Sequence, residues 1–386
     1  MPDSRATSVP RVTLFVDAQQ SMYFNSYAFS GTLSLSKQGR ISLDVRDIDY
    51  ASLLAGERSR PYVELDITWS SGRSMRVFID THDRADLFFP IGLERAGLYF
   101  KRSYVADEVI RAGAPADRIV PFGAMFNVAT AACKRLIFGA WIKRQGLGQL
   151  RAISVVRERI EYPGYTSLIA APTRKRAHGV LLRSRLWDDA EVRGEDTAEA
   201  VNNERIRWIS RLKNGLGSRF TGGFLPTSVA QRMCPELIDR SGGSRRAYLK
   251  DLRNSAISIY TRGLHGSTAW KLPESMAAGC AVVGEPLTHI LPEPLEDGFH
   301  LVHVSTPEAC VEACHRLLDN PDSLFAIQLN GRSYFDSYMH PAERMARVLA
   351  RAASVAGEAG TTDAVGYAYS RYDSMLRRGE TETRRE

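Results

Sequence analysis

A chain of 386 residues exceeds what one hydrophobic core usually organises, its 44% apolar content suffices for two, and no run of about 18 apolar residues offers a membrane span. The formal charge of +7 invites a polynucleotide partner, but basic and acidic residues interleave and no nucleic-acid module is recognisable, so no nucleic-acid partner is expected. Residues 1–10 lack the apolar centre of a secretory signal, and the five cysteines form neither a disulfide framework nor a metal-ligand spacing, which points to a cytoplasmic protein with no metal.

In chain order, Val12-Thr13-Leu14-Phe15-Val16 predicts a central strand running into Asp17, a carboxylate that either meets an acceptor or closes a turn. Residues 62–69 alternate like a half-buried strand, and residues 75–79 provide another. That strand ends at Asp80-Thr81-His82-Asp83. A histidine titrating near neutrality can move a proton or hold a hydroxyl, and a neighbouring carboxylate can orient its ring. His82, Asp80 and Asp83 are therefore the candidate catalytic residues; a structural loop histidine is the alternative. Residues 97–104 predict a strand leading to a basic loop, where Lys101 and Arg102 either touch an acidic acceptor or stay on the surface. A helix over 105–112 stops at Gly113, residues 119–123 form the next strand and loop, and helices fill 127–150. The domain boundary is expected after them.

Residues 163–176 are turn-rich and basic, and 179–182 begin the first strand of a second domain, with Arg183 and Arg185 at its end. A guanidinium presents a fixed fork of donors that suits phosphate oxygens, so Arg183 with Arg185 suits a diphosphate, an anionic glycan, a negatively charged membrane surface or simply water, and none of these requires a metal. The groups Arg174-Lys175-Arg176 and Arg245-Arg246 suit a diphosphate, an anionic glycan, a negatively charged membrane surface or simply water. Ile206, Ile209, Leu212 and Leu216 recur at helical spacing, with Asn202 or Asn203 as the expected cap and Gly217 as the stop. Residues 220–224 predict a short strand and a glycine turn, and a helix containing Tyr248 and Leu249 follows from residue 245.

The most informative stretch comes next. Residues 256–260 predict a buried strand ending in Thr261-Arg262-Gly263; the chain continues Leu264-His265-Gly266-Ser267-Thr268-Ala269-Trp270-Lys271-Leu272-Pro273-Glu274-Ser275-Met276-Ala277-Ala278-Gly279 and then the apolar Ala281-Val282-Val283. Pro273 and Glu274 favour the first turn of a helix, and Gly279 favours its end. Strand, polar loop, helix and strand make the repeating unit of a parallel sheet, whose ligand crevice lies outside the carboxyl ends of the strands. Glu274 belongs near that crevice or caps the helix. Beyond it, Glu285 either meets the ligand or closes a turn, and helices are expected over 307–318 and 340–353.

Lys271 to Gly284, with Pro286 beyond, resembles the donor-binding signature of group 1 nucleotide-sugar glycosyltransferases of the GT-B architecture. The resemblance implies an α/β fold of two facing Rossmann-like domains. The expected division is an acceptor-side domain over 1–165, a donor domain over 166–335, a closing helical segment over 336–356 that packs toward the first domain, and a charged tail over 357–386. It further implies that Glu274 accepts hydrogen bonds from the nucleotide's ribose, that Arg183 or, preferentially, Arg185 meets the donor diphosphate, that Lys271 is among the donor-binding residues, and that His82 lines the site across the cleft. Many retaining members carry another glutamate eight residues before Glu274; this chain has Gly266 there, with His265, Ser267, Thr268 and the local backbone amides as substitute contacts. The implied activity is transfer of a sugar from a nucleoside-diphosphate sugar, used as substrate with no tightly bound cofactor, to a glycan or lipid-linked glycan acceptor. Surface polysaccharide synthesis is the expected setting, with peripheral association at the inner face of a membrane. A catalytically silent nucleotide-sugar binder and a nucleotide-sugar epimerase are the alternatives.

Overall fold

The computed structural model describes residues 9–17, 22–48, 61–128, 130–145, 167–192, 197–241 and 243–358. The expected boundary near residue 165 and the tail from residue 359 onward lie outside the described residues. The chain divides into one unit over 1–161, 290–293 and 340–386 and a second over 162–289 and 294–339. None of the described helices is long and apolar enough to cross a membrane.

The first unit begins with β1 (Arg11–Val16), α1 (Met22–Lys37), β2 (Ser42–Asp47), β3 (Tyr62–Thr68) and β4 (Ser74–Asp80). It continues through α2 (Pro90–Arg95), β5 (Leu98–Lys101), α3 (Ala106–Arg111), β6 (Ile119–Pro121) and α4 (Ala131–Gln145). The six-stranded sheet has the order β2-β1-β3-β4-β5-β6. It is rich in parallel pairs, but β3 runs antiparallel to both β1 and β4, because a short turn at Trp69–Arg73 folds β3 and β4 into a hairpin.

The alternation along β3 predicted one wet face. Instead the strand is internal to the sheet and Glu64, on the face expected to be solvated, is buried. Arg76 Nη1 lies 3.0 Å from its carboxylate, which offsets the cost of burying that charge. Tyr62, Phe78, Phe89 and Tyr99 stack into an aromatic core behind the hairpin, with Tyr62 and Phe78 at 4.8 Å and Phe78 and Tyr99 at 5.1 Å between centroids.

The second unit contains β7 (His178–Ser184), α5 (Ala198–Leu216), β8 (Phe220–Phe224), α6 (Ser228–Met233), α7 (Arg245–Asn254), β9 (Ser255–Tyr260) and α8 (Lys271–Ala277). It ends with β10 (Ala281–Gly284), β11 (Val302–His303), α9 (Pro307–Asp319) and α10 (Pro321–Tyr334), which runs into a π-helical turn over Phe335–Met339. All strand pairs in its five-stranded sheet, ordered β11-β10-β9-β7-β8, are parallel. Its core joins Val180, Leu182, Ile257, Ile259 and Val283 of the strands to Trp208, Leu212 and Cys310 of the flanking helices.

The chain then returns to the first unit as α11 (Pro341–Ala356). This helix packs on α1 closely enough that a Cβ at Gly31 would lie 2.3 Å from the Pro341 carbonyl oxygen. Arg344 and Arg347 of α11 hold the buried carboxylate of Glu293 at 2.7 and 3.2 Å.

The start of α5 corrects one expectation. Thr197 caps the helix by accepting the Ala200 amide, and Asn202 lies a full turn inside it. Asn202 is buried and clamps Trp187 from both sides: its Oδ1 accepts the Trp187 amide and its Nδ2 donates to the Trp187 carbonyl, each at 2.8 Å. An asparagine near an apolar helical stripe reads as a cap, yet here it fixes the loop that follows β7.

Candidate functional site

In the second unit β7 leads to β8 on one side of the sheet, and the chain then crosses to β9 on the other side of β7. The strand order therefore reverses between β7 and β9. In an open parallel sheet that reversal opens a crevice at the carboxyl ends of the strands. A pocket lies at the carboxyl ends of β9 and β10, lined by Val201, Glu204, Arg205 and Trp208 of α5, by Thr261, Arg262 and Gly263 after β9, and by Glu285 after β10.

The turn between β9 and α8 is tightly wound. His265 and Gly266 both take left-handed backbone conformations, at φ 58° and 68°, and His265 is the only non-glycine with positive φ among the described residues. A Cβ at Gly266 would stand 2.9 Å from Thr288 Oγ1, whose hydroxyl donates to the Gly266 carbonyl at 2.5 Å. This backbone conformation favours glycine. Ser267 and Thr268 are buried in the same turn, and the Ser267 amide closes it on the Leu264 carbonyl at 3.0 Å.

Glu274 lies in the first turn of α8 and is only 2% exposed. Both of its oxygens accept from Arg245 of α7, Oε2 from Nη1 at 3.1 Å and Oε1 from Nη2. The Tyr248 hydroxyl is buried in the same region without a hydrogen-bond partner among the described residues. Burial, and then the charge of Glu274, push its ionisation well above the ordinary tyrosine range. Lys271, at the start of α8, makes no hydrogen bond or ion pair among the described residues. Desolvation, reinforced by the charge of Arg205 and opposed by Glu274, pushes its amine down to about 7.

The two arginines at the end of β7 differ in their surroundings. Arg183 is buried, and its Nε and Nη2 donate to Asp239 at 2.7 and 2.5 Å, with Nη2 also reaching Asp251 at 3.0 Å. Burial disfavours the Asp239 carboxylate, but hydrogen bonds from Ser241 and Arg183 outweigh it and hold the pKa below the ordinary aspartate range. Nε and Nη2 of Arg183 are thus engaged by carboxylates within the fold, while its buried Nη1 has no hydrogen-bond partner among the described residues. Arg185 is partly exposed, stacks 3.5 Å above the Trp187 ring and pairs with Glu191 at 3.2 Å. Arg205 donates to the Arg185 carbonyl at 2.8 Å, so α5 fixes this loop through both Asn202 and Arg205.

Asp80, His82 and Asp83 lie in the first unit. Asp80 is fully buried, and its Oδ2 accepts from Lys101 Nζ at 2.7 Å and from the Tyr99 hydroxyl at 2.8 Å. Lys101 is equally buried and donates also to the Arg84 and Leu87 carbonyls, so its three protons are satisfied. Lys101 is therefore a structural cation at this strand end, neither the surface group nor the acceptor contact expected of it. The other Asp80 oxygen takes the backbone amide of His82 at 2.9 Å. The carboxylate expected to orient the imidazole instead fixes the loop beneath it. The ring is oriented by the Arg84 amide, which donates to His82 Nδ1 at 3.0 Å, with Asp83 Oδ1 3.5 Å from the same nitrogen. Accepting that amide leaves the proton of neutral His82 on Nε2. Burial lowers the His82 pKa from its ordinary value, outweighing Asp83 and Asp80.

Arg205, Arg262 and Trp187 were not among the residues singled out in the sequence. A lone arginine inside an amphipathic helix carries no motif, and only the strand order brings Arg205 to the crevice.

Residues 239–350 match a family model described as glycosyl transferase-like. No curated protein matches the sequence. Among solved structures, the C-terminal domain of a group 1 glycosyl transferase family protein from Francisella tularensis is 12% identical, with a TM-score of 0.32 over 45% of this chain and 97% of that one. A glycosyltransferase from Rickettsia africae is 12% identical, with a TM-score of 0.40 over 67% of this chain and 63% of that one, short of two thirds of its length. Anabaena Alr3699/HepE, solved in complex with UDP and glucose, is 11% identical, with a TM-score of 0.40 over 83% of this chain and 89% of that one. The stretch from Asp239 to Ala350, which contains the β9 turn and Glu274, is glycosyl transferase-like and resembles the donor-binding region of group 1 glycosyltransferases.

Proposed function

We propose that this protein transfers a sugar from a nucleoside-diphosphate sugar to an acceptor hydroxyl in the synthesis of a surface polysaccharide or another glycan. The observation that carries the reading is the buried Glu274 in the first turn of α8, inside the glycosyl transferase-like stretch and at the carboxyl edge of a parallel sheet. In this reading Glu274 accepts hydrogen bonds from the ribose hydroxyls. A carboxylate offers about four acceptor positions. Arg245 takes one on each oxygen, which leaves capacity for a diol.

Lys271 and Arg185 receive the diphosphate, and His265, Ser267, Thr268 and the backbone of the turn at Gly266 meet the sugar. Arg183 supports them from within the fold by anchoring Asp239 and Asp251. His82, neutral and carrying its proton on Nε2 until substrate binds, handles the acceptor hydroxyl, with Asp83 beside the ring and Asp80 holding the loop. To accept the hydroxyl proton it must present an unprotonated nitrogen, so the ring proton moves to Nδ1, where Asp83 Oδ1 replaces the Arg84 amide as its partner. Acceptors on a lipid carrier fit the same chemistry and would bring the enzyme to the inner face of a membrane.

The test is incubation of the full chain with a panel of nucleoside-diphosphate sugars and glycan acceptors, with products read by mass spectrometry. A glycosylated acceptor supports transfer. Tight donor binding without product under any acceptor identifies a silent binder, and conversion of the donor to an isomer without acceptor identifies an epimerase.

A further inference from the structure

β9 and β10 are adjacent parallel strands, so the turn after one and the loop after the other leave the sheet side by side. They are tied together at two points. At the root, Glu285 Oε2 accepts the Arg262 backbone amide at 2.8 Å; further out, the Thr288 hydroxyl donates to the Gly266 carbonyl at 2.5 Å. The turn is also closed on itself, by the Gly263 amide on the Ser267 carbonyl at 2.8 Å. His289 follows Thr288 and is 5% exposed. Its Nε2 stands 4.0 Å from the position a Cβ would take at Gly266, so the imidazole flanks the face of the turn that glycine leaves open.

The charges along these two segments are one-sided. From Thr261 to Lys271 and from Pro286 to His289 the ionisable side chains are Arg262, His265, Lys271 and His289, with no aspartate or glutamate among them. The carboxylates that border the segments are already engaged, Glu274 by Arg245 and Glu285 by the Arg262 amide. An anionic group brought to Gly266 therefore meets hydrogen-bond donors and no free like charge. A hydrogen bond to an ionised acceptor is about twice as strong as one between neutral groups, so a sugar carboxylate gains more here than a hydroxymethyl group on the same carbon.

We propose that His289 is a specificity-determining residue of the donor site, its ring N–H donating to a carboxylate on the transferred sugar, so that the protein selects a nucleoside-diphosphate hexuronic acid over the corresponding neutral hexose. The inference rests on the nucleotide-sugar reading above, which places the sugar at the turn around Gly266. It adds a residue from the loop after β10 and a class of sugar to that reading. Thr288 is a positioning residue: its bond to Gly266 holds the loop, so the imidazole is placed before the ligand arrives and loses little freedom on binding.

The experiment is calorimetric titration of the full chain with UDP, UDP-glucose and UDP-glucuronic acid, and with GDP, GDP-mannose and GDP-mannuronic acid. It is repeated on His289→Leu and His289→Gln, with a thermal melt of each variant. The wild type is expected to bind the hexuronic acid of one base roughly ten-fold more tightly than its neutral counterpart, the measure of one hydrogen bond to a charged group. His289→Leu should abolish that preference and leave the affinity for the bare diphosphate unchanged. His289→Gln keeps an N–H donor and should retain part of the preference.

Equal affinity of the wild type for the hexuronic acid and the hexose, or tighter binding of the hexose, would overturn the inference while leaving the nucleotide-sugar reading in place. A preference that survives in His289→Leu would do the same, as would a loss in that variant that falls equally on the bare diphosphate. Failure of both variants to fold would place the work of His289 in the scaffold and overturn its role in selection, and a wild type that binds none of these ligands would overturn both readings.

Discussion

Replacing Glu274 with glutamine removes one charge and keeps the shape, so it separates recognition from packing. The structure fixes what each role should cost. The Glu274 side chain is 2% exposed and that of Arg245 is 29% exposed. Stranding one partner of a fully buried pair costs about 3–5 kcal/mol. Arg245 can turn toward water, and the amide still accepts one of its hydrogen bonds, so a loss of about 1–2 kcal/mol in folding stability is expected after that discount. Binding should suffer more than folding. A ribose hydroxyl hydrogen-bonded to a carboxylate contributes about 1.5–3 kcal/mol more than one left without a charged partner, which is roughly ten- to a hundred-fold in Kd for the donor. Calorimetry with the donor identified in the panel measures the affinity, and urea unfolding measures the stability. If Glu274→Gln remains folded and binds donor as the wild type does, Glu274 is a structural partner of Arg245 and the ribose assignment is wrong.

Three further outcomes follow from the same geometry. Lys101→Met strands Asp80, and since both groups are 0% exposed the loss should approach about 3–5 kcal/mol, read as an earlier urea transition; an unchanged midpoint would contradict the buried pair. Gly266→Glu restores the side chain many similar enzymes carry, but at φ 68° and 2.9 Å from Thr288 Oγ1 it should destabilise the protein by about 1–3 kcal/mol and fail to raise turnover, which a melt and a rate assay check together. His82→Gln should lower turnover more than donor affinity; equal losses in both would remove the acid–base role.

Most strands were legible because each is a short apolar run with clear punctuation; β2, whose Ser42–Asp47 is largely polar and exposed, and the two-residue β11 were not. Residues 256–260 and 281–283 fall within β9 and β10, and the apolar spacing of Ile209, Leu212 and Leu216 marks the buried face of α5. The helix α1 was not anticipated, because its mixture of tyrosine, phenylalanine, serine and threonine has no helical preference of its own and is held by packing against α11. The candidate grouping at residues 80–83 was visible only in part. Local sequence sets Asp80 beside His82, but strand pairing sets it opposite Lys101, twenty-one positions along the chain, and a buried ammonium is the stronger partner. Glu274 was singled out because turn, helix and strand signals converge on it, whereas Arg205 lies in an amphipathic helix that carries no motif.

The pH dependence of turnover gives the sharpest separation between a chemical and a structural His82. Burial depresses its folded pKa below the ordinary 6.5, so the neutral ring is favoured in the fold. Between the folded and unfolded values the unfolded chain binds more protons; stability from this group is therefore complete above 6.5 and declines as pH falls through that value toward the folded pKa. A base must be unprotonated to accept the acceptor proton, and the same depression keeps it so. The acid limb of kcat/KM should accordingly lie below pH 6.5 in the wild type and vanish from the low residual rate of His82→Gln. Asp83→Asn removes the carboxylate that favours the imidazolium, and should move the limb lower still. Asp80→Asn acts on the loop through a backbone amide and on Lys101, so it should reduce stability more than it reshapes the profile. A limb above 6.5, or one that survives in His82→Gln, would assign the titration to another group and leave His82 as a loop residue held by Arg84.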